Sequence, residues 1–263
     1  MPPDRSSFTA LNIPNDAVPE WMGSFTLAAP PNTDLWRKPP SRDTSTAPIL
    51  YTALRHPFVL AAVTVSADWE LEWDQGGLVI FAGAPPPGRI TGQPHVTQNA
   101  APPPVTSSSS PTPSQPPPAP PPPPAYIPPT PPSSKWVKVG LEFCNNACHA
   151  TSVCATSDGA DWALTSLPPH HARRTDLRVK IERIGYALWV WYEDEMSGWR
   201  KLREVTWFFW GVEDKAVRVG VYASRPANLG GATMYERRNG GGTGGQGVTQ
   251  RNLCVDFEGL EIM

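Results

Sequence analysis

The sequence predicts an all-β protein, a two-sheet β-sandwich or jelly roll interrupted by one long proline-rich loop. Three observations carry this reading. Apolar and polar residues alternate with a period of two through most of the chain outside its middle, the mark of strands with one buried face. No window of eleven residues or more carries a helical period. Finally, 17 of the 34 prolines fall between Pro102 and Pro132, among Ser, Thr and Ala with almost no large apolar side chain, and such a composition cannot bury a core.

The elements follow in order. Residues 1–57 read as irregular, with Trp21 to Leu27 as a first strand and Pro39 to Pro48 as a loop. Phe58 to Val65 is β-branched and apolar, Gly77 to Phe81 repeats the signal, and Asp74, Gln75 and Gly76 supply turn chemistry between them. After the proline tract, Val137, Val139, Leu141 and Phe143 alternate with Trp136, Lys138 and Glu142. Leu177, Val179 and Ile181 alternate with Arg178, Lys180 and Glu182, and Gly185 marks the turn into an aromatic strand, Tyr186 to Glu193. Val217, Val219 and Val221 alternate with Arg218 and Tyr222; Leu253, Val255 and Phe257 alternate with Cys254, Asp256 and Glu258. The run Gly240 to Gly247, six glycines in eight residues, reads as a flexible loop. Strands with one fatty face need a second sheet to cover it, hence the sandwich.

Setting aside the 52 residues from Gly83 to Ser134 leaves 211, enough for one large domain. If the tract linked two domains, residues 1–82 would fold alone on about three strands, fewer than a two-sheet core wants. Loop closure costs only ~0.6 kcal/mol per doubling of length, so the expectation is a single sandwich built from residues 1–82 and 135–263, with 83–134 as a disordered insertion.

Charge excludes some partners. The 22 basic and 24 acidic residues are spread evenly, with no basic stripe of the kind that binds a phosphate backbone, so nucleic acid is not expected. Met1 to Ser7 is polar, no 18 consecutive residues are apolar, and four cysteines fall short of a disulfide framework. These features predict a cytoplasmic protein with no membrane partner.

The segments Asp74-Gln75-Gly76-Gly77-Leu78-Val79, Trp136 to Phe143, Asp161-Trp162, Leu177-Arg178-Val179 and Val219 to Ser224 occur in an order that resembles the DUF1349 family, whose yeast member is described as a regulator of enolase. The resemblance covers about Phe58 to Ala82 and Lys135 to Ile262. It implies a concanavalin A-like lectin/glucanase sandwich, similar to the C-terminal domain of some β-xylosidases. In such relatives the strand carrying Gln-x-Gly-Leu runs almost directly into the one carrying Trp-x-Lys-x-Gly-x-Glu, whereas here 52 residues intervene. The family brings no catalytic residues to carry over.

Four constellations invite chemistry. Glu70, Glu72 and Asp74 alternate as glycosidase carboxylates do, but residues two apart on a strand stand ~6.5 Å apart on one side, whereas a retaining pair is ~5 to 5.5 Å apart across the sugar. They read as turn carboxylates. Cys144, Cys148, His149 and Cys154 have zinc-ligand chemistry without a Cys-x2-Cys knuckle, and Cys144 and Cys154 are expected to face one another across a hairpin as small apolar residues, with no metal bound. His170 and His171 follow Pro168-Pro169 in a loop, with no nucleophile motif to pair with. The glycine run lacks the lysine and the strand-to-helix context of a phosphate loop.

The aromatic strand is the most informative element. If Leu188, Val190 and Tyr192, with Tyr186, join the core, Trp189 and Trp191 lie outside near Lys180 and Glu182. Extending the alternation assembles Trp136, Lys138, Glu142, Lys180, Glu182, Trp189, Trp191, Arg218 and Tyr222 into one concave groove, provided their strands share a sheet. Flat aromatics beside charged groups suit sugar rings; the alternative is that loops cover them. The expectation is a non-enzymatic, cofactor-free binding protein. Carbohydrate is the first ligand; the second reading is a protein partner, a metabolic enzyme such as enolase. A glycoside hydrolase is third, since it would need two opposed carboxylates in one cleft.

Overall fold

The computed structural model describes residues 3–39, 42–88, 134–171, 174–227 and 251–263. Its strands are β1 (Phe8–Leu11), β2 (Ser24–Ala29), β3 (Leu35–Lys38), β4 (Arg42–Ser45), β5 (Ile49–Ala53), β6 (Leu60–Ala67), β7 (Gln75–Ala82), β8 (Lys135–Cys144), β9 (Ala147–Thr156), β10 (Gly159–Ser166), β11 (Asp176–Ile184), β12 (Ala187–Asp194), β13 (Gly198–Val205), β14 (Val217–Ser224) and β15 (Leu253–Ile262). Among the described residues the only helical pieces are short 3₁₀ turns.

The strands form two large antiparallel sheets. The first has the order β1-β5-β14-β7-β8-β9-β10, the second β13-β12-β11-β6-β15-β2, and β3-β4 is a separate hairpin. Alternation aims Leu78, Ile80, Val137, Val139, Leu141, Val219 and Val221 of the first sheet at Val63, Val65, Val179, Ile181, Val190, Val255 and Phe257 of the second, and all are buried. Each such side chain contributes ~1.5–3 kcal/mol on leaving water, which makes this layer the main source of stability.

Strands from both sides of the proline tract interleave in both sheets: β5, β7, β2 and β6 lie beside β14, β8, β15 and β11. The tract leaves at the end of β7 and returns at the start of β8, which pair directly, Ala82 opposite Lys135. It is therefore an insertion between neighbouring strands of one sandwich. Residues 89–133 lie outside the described residues, as do 228–250, so the expected disorder of the insertion and of the Gly240–Gly247 loop falls there.

The N-terminal region is more ordered than its sequence suggests. The first expected strand is displaced to Ser24–Ala29; β1, β3 and β5 stand in the region read as irregular; and the expected loop Pro39 to Pro48 contains β4, paired with β3 from Leu35↔Ser45 to Lys38↔Arg42. These strands are short or polar, so alternation has too few residues to register. The β3-β4 hairpin contributes to a second core on the outer face of the first sheet, where Leu35, Ala47 and Ile49 pack with Val79, Phe81, Trp136, Val153, Ala155 and Tyr222. Arg37 anchors it: its guanidinium donates to both Asp43 carboxylate oxygens (2.6 and 2.9 Å) and to the Ser134 and Thr156 carbonyls (2.8 and 3.0 Å). A buried bidentate pair closes the same face, with Arg225 donating to Asp74 at 2.8 and 2.6 Å and to the Arg251 carbonyl at 2.8 Å.

Because β7 and β8 pair directly, replacing residues 85–132 by a four-residue turn forfeits little of the described structure beyond the Ser45 hydroxyl bond to the Pro86 carbonyl. Calorimetry of the shortened protein is expected to show one cooperative melt at or above the parent temperature. Insolubility, or separately melting fragments 1–82 and 135–263, would contradict the single-sandwich architecture.

Candidate functional site

The nine groove candidates divide between two sheets. Trp136, Lys138 and Glu142 stand on β8 and Arg218 and Tyr222 on β14, all in the first sheet; Lys180 and Glu182 stand on β11 and Trp189 and Trp191 on β12, in the second. Each set faces away from the shared core, so the two look in opposite directions. The expected single groove is corrected here: a period of two tells which side of a strand a residue occupies, but not which sheet the strand joins.

On the first sheet the candidate surface is an interior. Trp136, Lys138 and Tyr222 are 0% exposed and Glu142 1%, covered by residues of the second core. Their polar atoms are satisfied locally, apart from Trp136 Nε1, which has no acceptor. Lys138 Nζ donates to Asp34 Oδ1 at 3.1 Å and lies 5.3 Å from the Tyr222 ring centroid, while Tyr222 Oη donates to Gln75 Oε1 at 3.3 Å. Glu142 Oε2 accepts from Thr151 Oγ1 (2.7 Å) and Trp162 Nε1 (3.1 Å). Arg218, half-buried on this face, donates to the Val217 carbonyl.

Burial pushes the Glu142 carboxyl above its ordinary 4.5, against the pull of Thr151, Lys138 and Trp162. A folded-state pKa raised above the unfolded one means that ionisation opposes folding: the penalty is absent below about 4.5 and grows as pH rises through the folded value. Glu142→Gln, which keeps an acceptor oxygen, is therefore expected to melt higher than the parent at about pH 7, with the gain shrinking towards about pH 4. Melting curves at both pH values check this; a gain that is constant, or larger in acid, would contradict it.

The second-sheet set is the more open. Trp189 and Trp191 stand side by side, ring centroids 5.9 Å apart and planes inclined by 29°. Lys180 Nζ lies 5.0 Å from the Trp191 ring and 4.8 Å from that of Trp199; Lys201 Nζ lies 4.6 Å from Trp189 and 5.7 Å from Trp191. Glu182 pairs with Lys180 at 3.1 Å. Cross-strand register builds this ladder: Trp191 sits between Lys180 and Lys201, and Trp189 between Glu182 and Glu204. Trp199 and Lys201 are absent from the sequence-derived set because a bulge in β13, opposite Val190 and Trp191, breaks their alternation. Leu188, Val190 and Tyr192 do join the core, whereas Tyr186 leaves it for the exposed turn beside Gly185.

Beside the ladder lies a cleft of about 600 Å³ between β9-β10 and β13, lined by Asp158, Asp161, Arg203, Glu204 and Trp207 among others. Arg203 spans it to Asp161 at 3.2 Å. Glu204 belongs to both features, as the partner of Trp189 and as a wall of the cleft.

The other constellations separate. Asp74 is held by Arg225, with Glu70 3.7 Å from the same guanidinium, and Glu72 accepts from Cys144 Sγ and the Asn145 amide, so the three carboxylates serve as turn residues. Cys144 and Cys154 do not face one another, contrary to expectation: the tight turn at Asn145-Asn146 sets Cys144 opposite Ala147 and Cys154 opposite Val137. The Glu72 carboxylate and burial push the Cys144 thiol up to about 11, and burial does the same to Cys148, leaving both protonated and unreactive at neutral pH. His170 and His171 lie in the 3₁₀ turn Pro169–His171, where His170 Nε2 is 3.2 Å from Asp194 Oδ1.

The fold defines a class, the two-sheet antiparallel β-sandwich. A protein of unknown function from Saccharomyces cerevisiae shares it with a TM-score of 0.58 at 17% identity, over 99% of this chain and 98% of that one. A xylan β-1,4-xylosidase from Bacillus halodurans shares it with a TM-score of 0.52 at 10% identity, over 98% of this chain and 37% of that one. At such identities the likeness is one of fold alone. The chain itself belongs to the DUF1349 family of proteins of unknown function, whose model matches residues 11–239. It is also 31% identical over 222 residues to an uncharacterised protein of Emericella nidulans, covering 83% of this chain and 84% of that one.

Proposed function

We propose that this protein is a non-catalytic carbohydrate-binding sandwich whose ligand lies along the outer face of the second sheet, over Trp189 and Trp191. The carrying observation is the pair of indoles, inclined by 29°, with Lys180 and Lys201 over the rings and Glu182 and Glu193 on the same face. The apolar face of a pyranose stacks on indole while its hydroxyls need charged partners at the rim. The exposed Lys201 ammonium over the rings sits on a flexible stem and holds by ~0.5–1 kcal/mol, so an arriving sugar displaces it to its own hydroxyls, while Lys180 stays with Glu182. The adjoining cleft, reached past Glu204, extends the surface for an elongated ligand. Two carboxylates of this face pair with neighbouring cations, Glu182 with Lys180 at 3.1 Å and Glu193 with Arg178 at 3.9 Å, which speaks against their use in catalysis.

Titration with xylan- and glucan-derived oligosaccharides, followed by tryptophan fluorescence and calorimetry, tests the proposal. Saturable binding is expected for at least one, and Trp189→Ala or Trp191→Ala is expected to weaken it by ~1–3 kcal/mol while the melt stays cooperative. No saturable binding, or variants that bind like the parent, would contradict it. Variants destabilised by ~3–5 kcal/mol, the cost of emptying a core site, would make these tryptophans structural.

A second reading, a cytoplasmic protein partner such as enolase, is favoured by a different patch. Tyr186 and Trp210 are 66% and 71% exposed, contact each other edge to face at 6.1 Å, and Ile184 nearby is also exposed. Exposed Trp and Tyr are the residues on which protein interfaces concentrate their binding energy. A complex with purified enolase that is insensitive to added glycan and lost in Trp210→Ala would favour this reading over the first.

A further inference from the structure

We infer that His170, His171 and Asp194 form a site for one divalent transition-metal ion of the zinc class. One ligand atom from each residue lies within 4.8 Å of the others. Zinc–nitrogen bonds of ~2.0–2.1 Å require tetrahedral ligand atoms ~3.3 Å apart, so the three atoms need only a small inward rotation. His171 gives the strongest independent sign. It is 2% exposed, and neither ring nitrogen has a hydrogen-bond partner. A buried imidazole with both nitrogens unpaired is rare in a folded protein, and a missing ligand is one of the few explanations for it. Asp194 is as deeply buried, and its three donors, the Met196 and Ser197 amides and His170 Nε2, all fall on Oδ1.

The chain delivers these groups from two places. His170 and His171 follow Pro168-Pro169 in a 3₁₀ turn closed by the His171 amide on the Pro168 carbonyl (2.8 Å), and their rings stand 4.7 Å apart. Asp194 ends β12 in the turn to β13. Arg174, three residues beyond His171, is engaged by Asp176 and Glu195, so its charge is compensated. Two imidazoles and one carboxylate are a recurrent zinc set, and they leave a fourth position for water. A metal here would clamp the crossover from β10 of the first sheet to β11 of the second onto the β12-β13 turn. This ligand set was not expected from the sequence, where only the cysteines had metal-like grouping.

The test uses the full chain, stripped with a chelator and titrated calorimetrically with Zn²⁺ alone, then with Co²⁺ to read coordination geometry from its visible spectrum. One equivalent is expected to bind and to raise the melting temperature. His170→Ala, at an exposed position, and Asp194→Asn, which keeps the turn's acceptor, are expected to lose affinity ~100-fold or more and to lose the thermal shift, while Cys148→Ser keeps both. If Asp194→Asn fails to fold, His170→Ala decides alone. No binding at ~100 μM Zn²⁺, equal binding by the histidine variant, or loss only in the cysteine variant would overturn the site.

Discussion

The central strands of the first sheet are covered on both of their faces, and most of the structure follows from that constraint. Every position of β7 is buried, as are most of β8 and β14. Any charge or hydroxyl on the outer side of these strands therefore has to find its partner inside. Lys138 takes Asp34, Tyr222 takes Gln75, Glu142 takes Thr151 and Trp162, and Arg225 takes Asp74. Removing one member of the ion pairs Lys138–Asp34 or Arg225–Asp74 leaves an uncompensated buried charge, which costs ~3–5 kcal/mol, so these two pairs hold the covering segments in register. The tie is topological as well, because Asp34 comes from the β3-β4 region and Arg225 from the segment after β14.

The two sheets thus differ in kind. Strands buried on both sides read as nearly continuous apolar runs, as Gly77 to Phe81 does, whereas β11 and β12 alternate and leave their outer residues partly in solvent. Aromatic residues on the central strands of the first sheet become core, like Trp136 and Tyr222. On the second they become a surface ladder, like Trp189, Trp191 and Trp199. That asymmetry, more than the count of tryptophans, directs attention to the second sheet as the proposed binding face.

Much of the sandwich was legible in the sequence. The alternation in β8, β11, β12, β14 and β15 gave the inward set correctly apart from Tyr186, because three or more inward apolar side chains per strand act together. The site was half legible: Trp189 and Trp191 are outward as their alternation requires, but Trp136 and Tyr222 are outward onto a hairpin that the sequence hides. Arg42-Asp43-Thr44-Ser45 forms a strand because Arg37 binds Asp43 and the hairpin lies on apolar ground, and neither fact has a periodic signature. β10 is an edge strand with no fully buried residue, and β13 is broken by its bulge. His170 and His171 were visible as a pair, but their third partner, Asp194, lies 24 residues beyond His170 and meets it only through the fold.

The central claim is that the outer face of the first sheet is interior and that of the second is surface. Lysine acetylation of the native protein, read by mass spectrometry, tests it most directly. Lys201, exposed over the indoles, is expected to react readily, and Lys138, buried against Asp34 and Tyr222, to stay unmodified until the protein is unfolded. Acetylation of Lys138 in the native protein at a rate matching Lys201 would contradict the account, because the first sheet would then carry an open face of its own.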